Sequence, residues 1–429
     1  MKLQIDNKTY EYISDNSNEC DSNTAFFHCK QNSQYLEIAK QNNTPAILSV
    51  EDLKSIYQIN DMKIIGITGT NGKTTTAAAL YSLLLDLGYK VAFQGTRGLY
   101  INEEKIEGKS LTTPLIFNIL NNIKKAKEAE CEFFIMEVSS HAIAQNRIEG
   151  LEFVLKIYTN LTQDHLDFHK TFQEYKRVKE SFFLDESMKL INKDARKINF
   201  NTKNAYTYAL DLPATYNIAA YSLTDGISGA IKYFDQLESF NSPMFGTFNV
   251  YNLLCAISAA HLLTKKPLKD ICELTENFAG VSGRMEIIND KPLILVDFAH
   301  TPDGMDKVLD SFKDKEISVV FGAGGDRDDS KRVQMGRVAN RYAKKIYLTS
   351  DNPRSEDPNG IIEQISAGIS MREKLTIIED RAEAIKMAIE ELEGEEILII
   401  LGKGDELTQE INGKFLPFDD REVIRSILA

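Results

Sequence analysis

Cysteine is scarce in this chain. Cys20, Cys29, Cys131, Cys255 and Cys272 are spread over 429 positions with no close pair. An odd number at wide spacing builds no disulfide framework and fits reduced thiols, so a cytoplasmic protein is expected. No CxxC or HExxH run offers a zinc site. Basic charge is also short: 50 Lys and Arg stand against 63 Asp and Glu, a net charge of −13. That excludes a domain-wide basic footprint for nucleic acid and a strong pull toward anionic membranes. An anionic ligand would need a local pocket of cations or backbone N–H groups. Long apolar runs are missing as well. The longest, such as Ile397–Leu401, is a handful of residues, far below a membrane span. The opening MKLQIDNKTY carries no apolar stretch of the signal-peptide kind. The sequence holds neither an internal repeat nor a low-complexity linker.

Apolar residues make up 43% of the chain and charged residues 26%, an ordinary balance for a globular protein. Its length suggests about three domains. Residues 1–60 are polar and rich in Asn and Gln, with apolar patches at 25–27 and 45–50 that read as strands of a small α/β unit. Residues 61–285 carry the runs KIIGITG, VAFQG, CEFFIMEVSS, LKIYTNLTQDH and KLINKD. Residues 286–429 carry PLILVDFAHTPDG, ISVVFGAGGDRD, KIYLTSDNPR, KLTIIED and EEILIILGKGDE. Each run is apolar, then polar, then followed by a helical stretch. That pattern predicts two α/β domains: a central one with a parallel sheet and a C-terminal, Rossmann-like, doubly wound one. Ligands in such sheets gather at the carboxyl ends of the strands, so chemistry is expected in the polar tails.

One tail is explicit. Gly66-Ile67-Thr68-Gly69-Thr70-Asn71-Gly72-Lys73-Thr74 ends an apolar strand and opens a helix, where Ala77, Leu80, Leu84 and Leu87 fall at helical spacing before Gly88. Glycines let backbone N–H groups face a phosphate, and the helix N-terminus adds positive charge. Lys73 is expected on the outer phosphates and Thr74 on a magnesium ion. The spacing departs from GxxxxGK[ST], because position 67 is Ile. Asn192-Lys193-Asp194 places its acid one residue early for a guanine-reading NKxD, so ATP is the expected nucleotide.

GTNGKTTT at 69–76 resembles the ATP loop of the Mur ligases, which build the peptide of bacterial cell-wall precursors. The likeness continues in family order through TTP at 112–114, MEVSSH at 136–141, TNLTQDHLDFH at 159–169 and FNVYN at 248–252. It goes on through GRME at 283–286, VDFAHTPDG at 296–304, GGDRD at 324–328 and DNPRSEDP at 351–358. The resemblance implies a small N-terminal UDP-binding unit, a central P-loop ATPase and a C-terminal domain that takes the amino acid. It implies an ATP-dependent amide ligase of peptidoglycan synthesis that works through an acyl phosphate. DNPR points to the member that adds meso-2,6-diaminopimelate to the D-glutamate of UDP-MurNAc-L-Ala-D-Glu; separately, a monomer is expected. The rival readings are the same ligation with L-lysine, a folylpolyglutamate-type synthetase and, from another class, a nucleotide-dependent switch.

The resemblance also assigns roles. Gly69, Thr70, Asn71, Gly72, Lys73, Thr74 and Thr75 would cradle ATP, with Asn249 toward adenine, Arg284 toward the phosphates and Asp297 toward ribose. Thr74, Glu137, His165 and Lys179 would serve Mg²⁺, with Lys179 carbamylated and Lys73, Lys179 and His165 catalytic. Ser17, Thr112, Thr113, Ser139, Gln145 and Arg147 would contact the UDP-dipeptide. Arg327, Asp351, Asn352, Pro353, Arg354, Gly402 and Glu406 would hold diaminopimelate. Read alone, Lys179 is one charge on an amphipathic helix, His165 and His169 are an i, i+4 surface pair, and Asp-Asn-Pro-Arg is a turn. Two stretches depart from the family: residues 15–18 only loosely match its uridine-contacting DSR, and Asp405 replaces the usual His of GKGHE.

Overall fold

The short apolar runs that end in polar residues become the parallel strands of two sheets. The structure is a computed structural model and describes residues 3–5, 8–109, 111–224 and 226–429. It divides into two units. The first comprises 1–161, 173–217 and 255–271; the second comprises 162–172, 218–254 and 272–429.

In the first unit the strand Lys63–Thr68 runs parallel between Phe133–Glu137 and Phe153–Tyr158, with Ile65 beside Ile135 and Ile67 beside Ile157. Val91–Gly95 extends this sheet on one side, and Met188–Asn192 followed by Ala205–Ala209 on the other. The central strands Lys63–Thr68 and Phe133–Glu137 read as near-continuous apolar runs because both faces are covered. Helix Lys73–Asp86 buries Ala77, Leu80, Leu83 and Leu84. Ahead of this sheet, Tyr12–Ser14, Thr24–Phe27 and Ala46–Leu48 form a small parallel sheet, so both N-terminal apolar patches are strands. Its helix Val50–Tyr57 starts at a capping box in which Ser49 and Asp52 satisfy each other's backbone N–H.

The sheet of the second unit has the order Glu286–Asp290, Leu293–Asp297, Ile397–Leu401, Ile317–Phe321, Lys345–Leu348, Leu375–Ile377; the first strand is antiparallel and the rest are parallel. Alternate residues face two helical layers. Leu295, Val319 and Ile399 pack with Met305, Met335 and Ile365, while Val296, Val320 and Ile400 pack with Ala384, Ile385 and Ile424. This is a doubly wound domain, as the alternation of strands and helices predicts. Each fully buried Ile or Leu contributes about 2 kcal/mol. Within this sheet the last strand, Ile397–Leu401, lies between the first two parallel ones, so the polar tails of all three leave at the same carboxyl end. Among the described residues no helix is long and apolar enough to cross a membrane.

Candidate active site

In the first unit, strand Lys63–Thr68 delivers the phosphate loop to the start of helix Lys73–Asp86. Thr70 N donates to Asn160 O at 2.9 Å, Asn71 N to Asn160 Oδ1 at 2.9 Å, and Thr159 Oγ1 to Asn71 O at 2.7 Å. Thr159 and Asn160 directly follow the adjacent strand Phe153–Tyr158, so the tail of one strand splints the loop after another. The fit is close enough to require Gly69, where a Cβ would lie 1.8 Å from Thr159 Oγ1. Lys73 Nζ lies back on the loop, donating to Gly69 O at 2.8 Å and Thr70 O at 2.9 Å.

From this loop a chain of polar contacts leads to the expected dipeptide residues. Thr74 Oγ1 donates to Glu137 Oε2 at 2.9 Å, and Thr96 N to Glu137 Oε1 at 3.0 Å. Thr113 Oγ1 donates to Glu137 O and accepts from Ser139 N, each at 2.9 Å. Arg147 Nη1 donates to Thr113 O at 2.8 Å and its Nη2 to Gln145 Oε1 at 2.6 Å; burial holds this guanidinium below its usual pKa. Thr112 Oγ1 meets Thr96 Oγ1 at 3.0 Å. Lys179, 1% exposed, donates to Gly69 O at 2.8 Å and stands 5.0 Å from the Tyr175 ring centre, while the Tyr175 hydroxyl meets Thr70 Oγ1 at 2.9 Å. The structure therefore links Thr74, Thr112, Thr113, Glu137, Ser139, Gln145 and Arg147 by hydrogen bonds, while Lys73 and Lys179 both donate to Gly69 O in the adjoining loop. Ser17 is buried in the turn Ser17–Glu19, where Asn42 donates to its carbonyl at 2.9 Å.

Two cavities among the described residues lie in the second unit. One, of about 350 Å³, is lined by Asn249, Arg284 and Phe245 among others. Asn249 Nδ2 donates to Phe245 O at 2.8 Å, and the Arg284 guanidinium lies 4.2 Å from the Phe298 ring centre. Asp297 accepts from Met285 N at 2.8 Å and Ala299 N at 2.7 Å; burial raises its carboxyl pKa against the opposing pull of Arg284.

The other cavity, of about 320 Å³, brings together His165, Arg327, Asp351, Asn352, Arg354, Gly402 and Glu406. Lys331, Asp164 and His300 also line it. Burial works against ionised Asp164, but His165, His300 and Lys331 outweigh it and hold the carboxyl below the usual range. Asn352 Nδ2 donates to Glu406 Oε2 at 2.7 Å. Gly402, at φ +111°, leaves room for Asp351, whose Oδ2 would lie 2.4 Å from a Cβ there. Asp405 is not among the described residues lining this cavity; its backbone packs against Gly283 instead. Cations and anions are interleaved in the cavity, which suits a zwitterion with charged groups at both ends.

The Mur ligase middle-domain model matches residues 67–260, and the Mur ligase glutamate-ligase-domain model matches 283–404. The chain belongs to the Mur ligase family. A relative from Wolinella succinogenes is 51% identical over 100% of this chain and 99% of its own length, and one from Helicobacter pylori is 47% identical over 99% and 97%. Both are named UDP-N-acetylmuramoyl-L-alanyl-D-glutamate–2,6-diaminopimelate ligase. A solved structure of a ligase of that name matches with a TM-score of 0.71 at 30% identity, covering 99% of this chain and 97% of the other.

In this Mur ligase, residues to which the motifs give no role also make contacts around these sites. Thr159 and Asn160 were legible as the polar end of a strand, a position that often faces a ligand loop. Lys403, fully buried, donates to Thr408 O at 2.7 Å, Glu406 Oε2 at 3.2 Å and Asn352 Oδ1 at 3.3 Å. Arg381, 2% exposed, forms a bidentate pair with Asp420 at 2.7 and 2.8 Å, and its Nη1 lies 4.0 Å from Asp351 Oδ2. Burial works against its charge, and Asp420 and Asp351 more than offset that. Nothing in the local sequence marks Arg381, because its partners lie dozens of residues away.

Proposed function

We propose that this ligase joins meso-2,6-diaminopimelate to the γ-carboxylate of D-glutamate in UDP-MurNAc-L-Ala-D-Glu, converting ATP to ADP and phosphate. The supporting observation is the chain of hydrogen bonds from Thr74 of the phosphate loop through Glu137 and Thr113 to Arg147. It ties a phosphate loop to an arginine suited to a carboxylate.

Amide formation from a carboxylate is uphill in water, so the carboxylate needs a leaving group. Its oxygen attacks the γ-phosphorus of ATP, ADP departs, and an acyl phosphate forms. The amine then attacks the carbonyl carbon, phosphate leaves, and the amine loses a proton. The first step brings two anions together. Lys73 leaves the loop carbonyls for the γ-phosphate and offsets that repulsion. Thr112, Ser139 and Arg147 orient the dipeptide, and Arg147 offers two parallel donors. Asn249, Arg284 and Asp297 take the nucleotide, and Ser17 belongs to the uridine side.

Among the described residues no three His, Cys, Asp or Glu side chains cluster as a metal cage. The Thr74 hydroxyl and Glu137 carboxylate still fit Mg²⁺, which takes few protein ligands and completes its shell with phosphate and water. When bound, Mg²⁺ supplies charge neutralisation on the phosphates. His165 is a further ligand only on the resemblance; here it lines the Arg354 cavity. Lys179 is the proposed carbamate: the modified nitrogen keeps one N–H for Gly69 O while the chain gains an anion. Mass spectrometry of the native protein should find one added CO₂ on the peptide containing Lys179. Lys179→Ala should be nearly inactive and partly restored by acetate; full activity without any addition would end the carbamate assignment.

L-Lysine is the second reading. Arg354 disfavours it, since lysine offers no distal carboxylate to the guanidinium donors that its protein contacts leave over. The deciding assay is phosphate release. It should require both the UDP-dipeptide and diaminopimelate, and release with ATP alone would point to a nucleotide switch.

A further inference from the structure

Arg354 is a long, flexible side chain asked to present a planar fork at a fixed angle, and something must aim it. Its backbone sits at φ +53°, a region that non-glycine residues rarely adopt. Two backbone hydrogen bonds hold it there: Arg354 N donates to Glu410 O at 3.0 Å, and Asn412 N donates to Arg354 O at 2.7 Å. Both partners lie on a hairpin, Thr408–Ile411 paired antiparallel with Lys414–Pro417. Its turn is Asn412-Gly413, both at positive φ, a sequence suited to a tight two-residue turn. The same hairpin grips the side chain. Arg354 Nε donates to Glu410 Oε2 at 3.1 Å, and Arg354 Nη1 donates to Gly325 O at 2.7 Å. These two contacts use two of the five guanidinium N–H groups and leave both on Nη2 and one on Nη1 for a ligand. Arg354 lines the cavity; Glu410, among the described residues, does not. Glu410 also fixes a neighbour, its N donating to Asn352 Oδ1 at 2.9 Å.

We infer that Glu410 is a positioning residue that sets amino-acid specificity: by accepting from Arg354 Nε it aims the remaining donors at the distal carboxylate of the incoming amino acid. The inference rests on the proposed role of Arg354. An unaimed arginine still attracts an anion by charge, but it loses the two parallel bonds that separate a substrate with a distal carboxylate from one without.

The test is the ratio of kcat/KM for meso-diaminopimelate to that for L-lysine, measured with ATP and the UDP-dipeptide saturating. Glu410→Ala and Glu410→Met should lower the ratio about ten-fold or more, the scale of losing a hydrogen bond to a charged group. The loss should lie in KM for diaminopimelate, with kcat near that of the parent. Glu410→Gln keeps an acceptor for Nε without the charge and should restore most of the ratio. Glu410 is partly exposed, with a side-chain accessibility of 25%, so the fold should tolerate these changes. Arg354→Ala separates the two ideas. If it collapses the ratio while Glu410→Ala and Glu410→Met leave it intact, Glu410 does not aim the fork. If Arg354→Ala itself leaves the ratio unchanged, the assignment of Arg354 fails, and this inference with it. A fall in kcat with an unchanged ratio in both Glu410 variants would make Glu410 merely structural.

Discussion

The phosphate loop and the Arg354 cavity both hold charged side chains ready for a ligand, but they do so by opposite means. Residues 66–74 are contiguous, and Lys73 rests on the carbonyls of Gly69 and Thr70, four and three residues back. The cavity draws His165, Arg327, Arg354 and Glu406 from separate segments, and its arginine is aimed by a hairpin more than fifty residues on. A local device depends on backbone conformation; a dispersed one depends on side chains holding side chains. Losses in the first should therefore be chemical, and losses in the second should appear as changes of preference.

The largest expected effect is on the local device. Lys73→Ala should lower kcat by 10²-fold or more, about 2.7 kcal/mol, the scale for removing one electrostatic stabiliser. Thermal unfolding should move little, because Lys73 packs on loop carbonyls and not in the apolar core. Near-parent turnover in the folded variant would take the phosphate-loop role away from this lysine.

The same contrast explains what could be read from the sequence. The two sheets were legible because each buried strand is a short apolar run and each loop after it is polar, as in Ile397–Leu401 before Gly402. The loop at 66–74 was legible because glycines, a lysine and a threonine are all needed within one turn of chain. The resemblance supplied what periodicity cannot, such as Lys179, which on spacing alone is one charge among several on its helix yet lies 1% exposed. Glu410, Lys403 and Arg381 escaped both approaches. Their meaning lies in partners such as Arg354, Asn352 and Asp351, and no local pattern encodes a contact between distant segments. The hairpin Thr408–Ile411 with Lys414–Pro417 carried an Asn-Gly turn signal, but its task is set by tertiary position.

Arg354 should give the next largest effect, on preference more than on turnover. Arg354→Ala should reduce kcat/KM for diaminopimelate by about 10²-fold, since a charge-assisted bidentate contact contributes roughly 2–3 kcal/mol. Arg354→Lys should recover little, because a point charge cannot supply two parallel bonds, and lysine also forfeits the Nε contact to Glu410. Equal use of L-lysine and diaminopimelate by the parent enzyme would remove Arg354 as selector and leave the ligase reading standing.

Gly402 probes the cavity through its backbone. Gly402→Ala places a methyl 2.4 Å from Asp351 Oδ2 and asks alanine to adopt φ +111°. Asp351 must move, and with it the carboxylate that Arg381 approaches from behind at 4.0 Å. Strain at such a position costs about 1–3 kcal/mol, so the melting temperature should fall and KM for the amino acid should rise about ten-fold. An unchanged KM in a destabilised protein would separate Asp351 from amino-acid binding.

The smallest effect is expected where the sequence differs most visibly from its family. Asp405→His restores the usual residue of the motif, and the motif alone would suggest a gain in amino-acid binding. The structure places the cavity lining on Gly402 and Glu406 and turns the backbone of Asp405 toward Gly283. Asp405 also contributes to the acidic surroundings that raise the Arg421 pKa, but the main source there is Asp419, whose Oδ2 accepts from Arg421 Nη2 at 2.6 Å. Replacing Asp405 leaves that pair intact. Asp405 is partly exposed, so stability should change by about 1 kcal/mol or less. KM for diaminopimelate and the preference over L-lysine should remain at parent values, as measured in the same phosphate-release assay. A marked fall in KM on Asp405→His would mean that this position reaches the ligand after all, and that the cavity takes up its substrate in an arrangement its free form does not display.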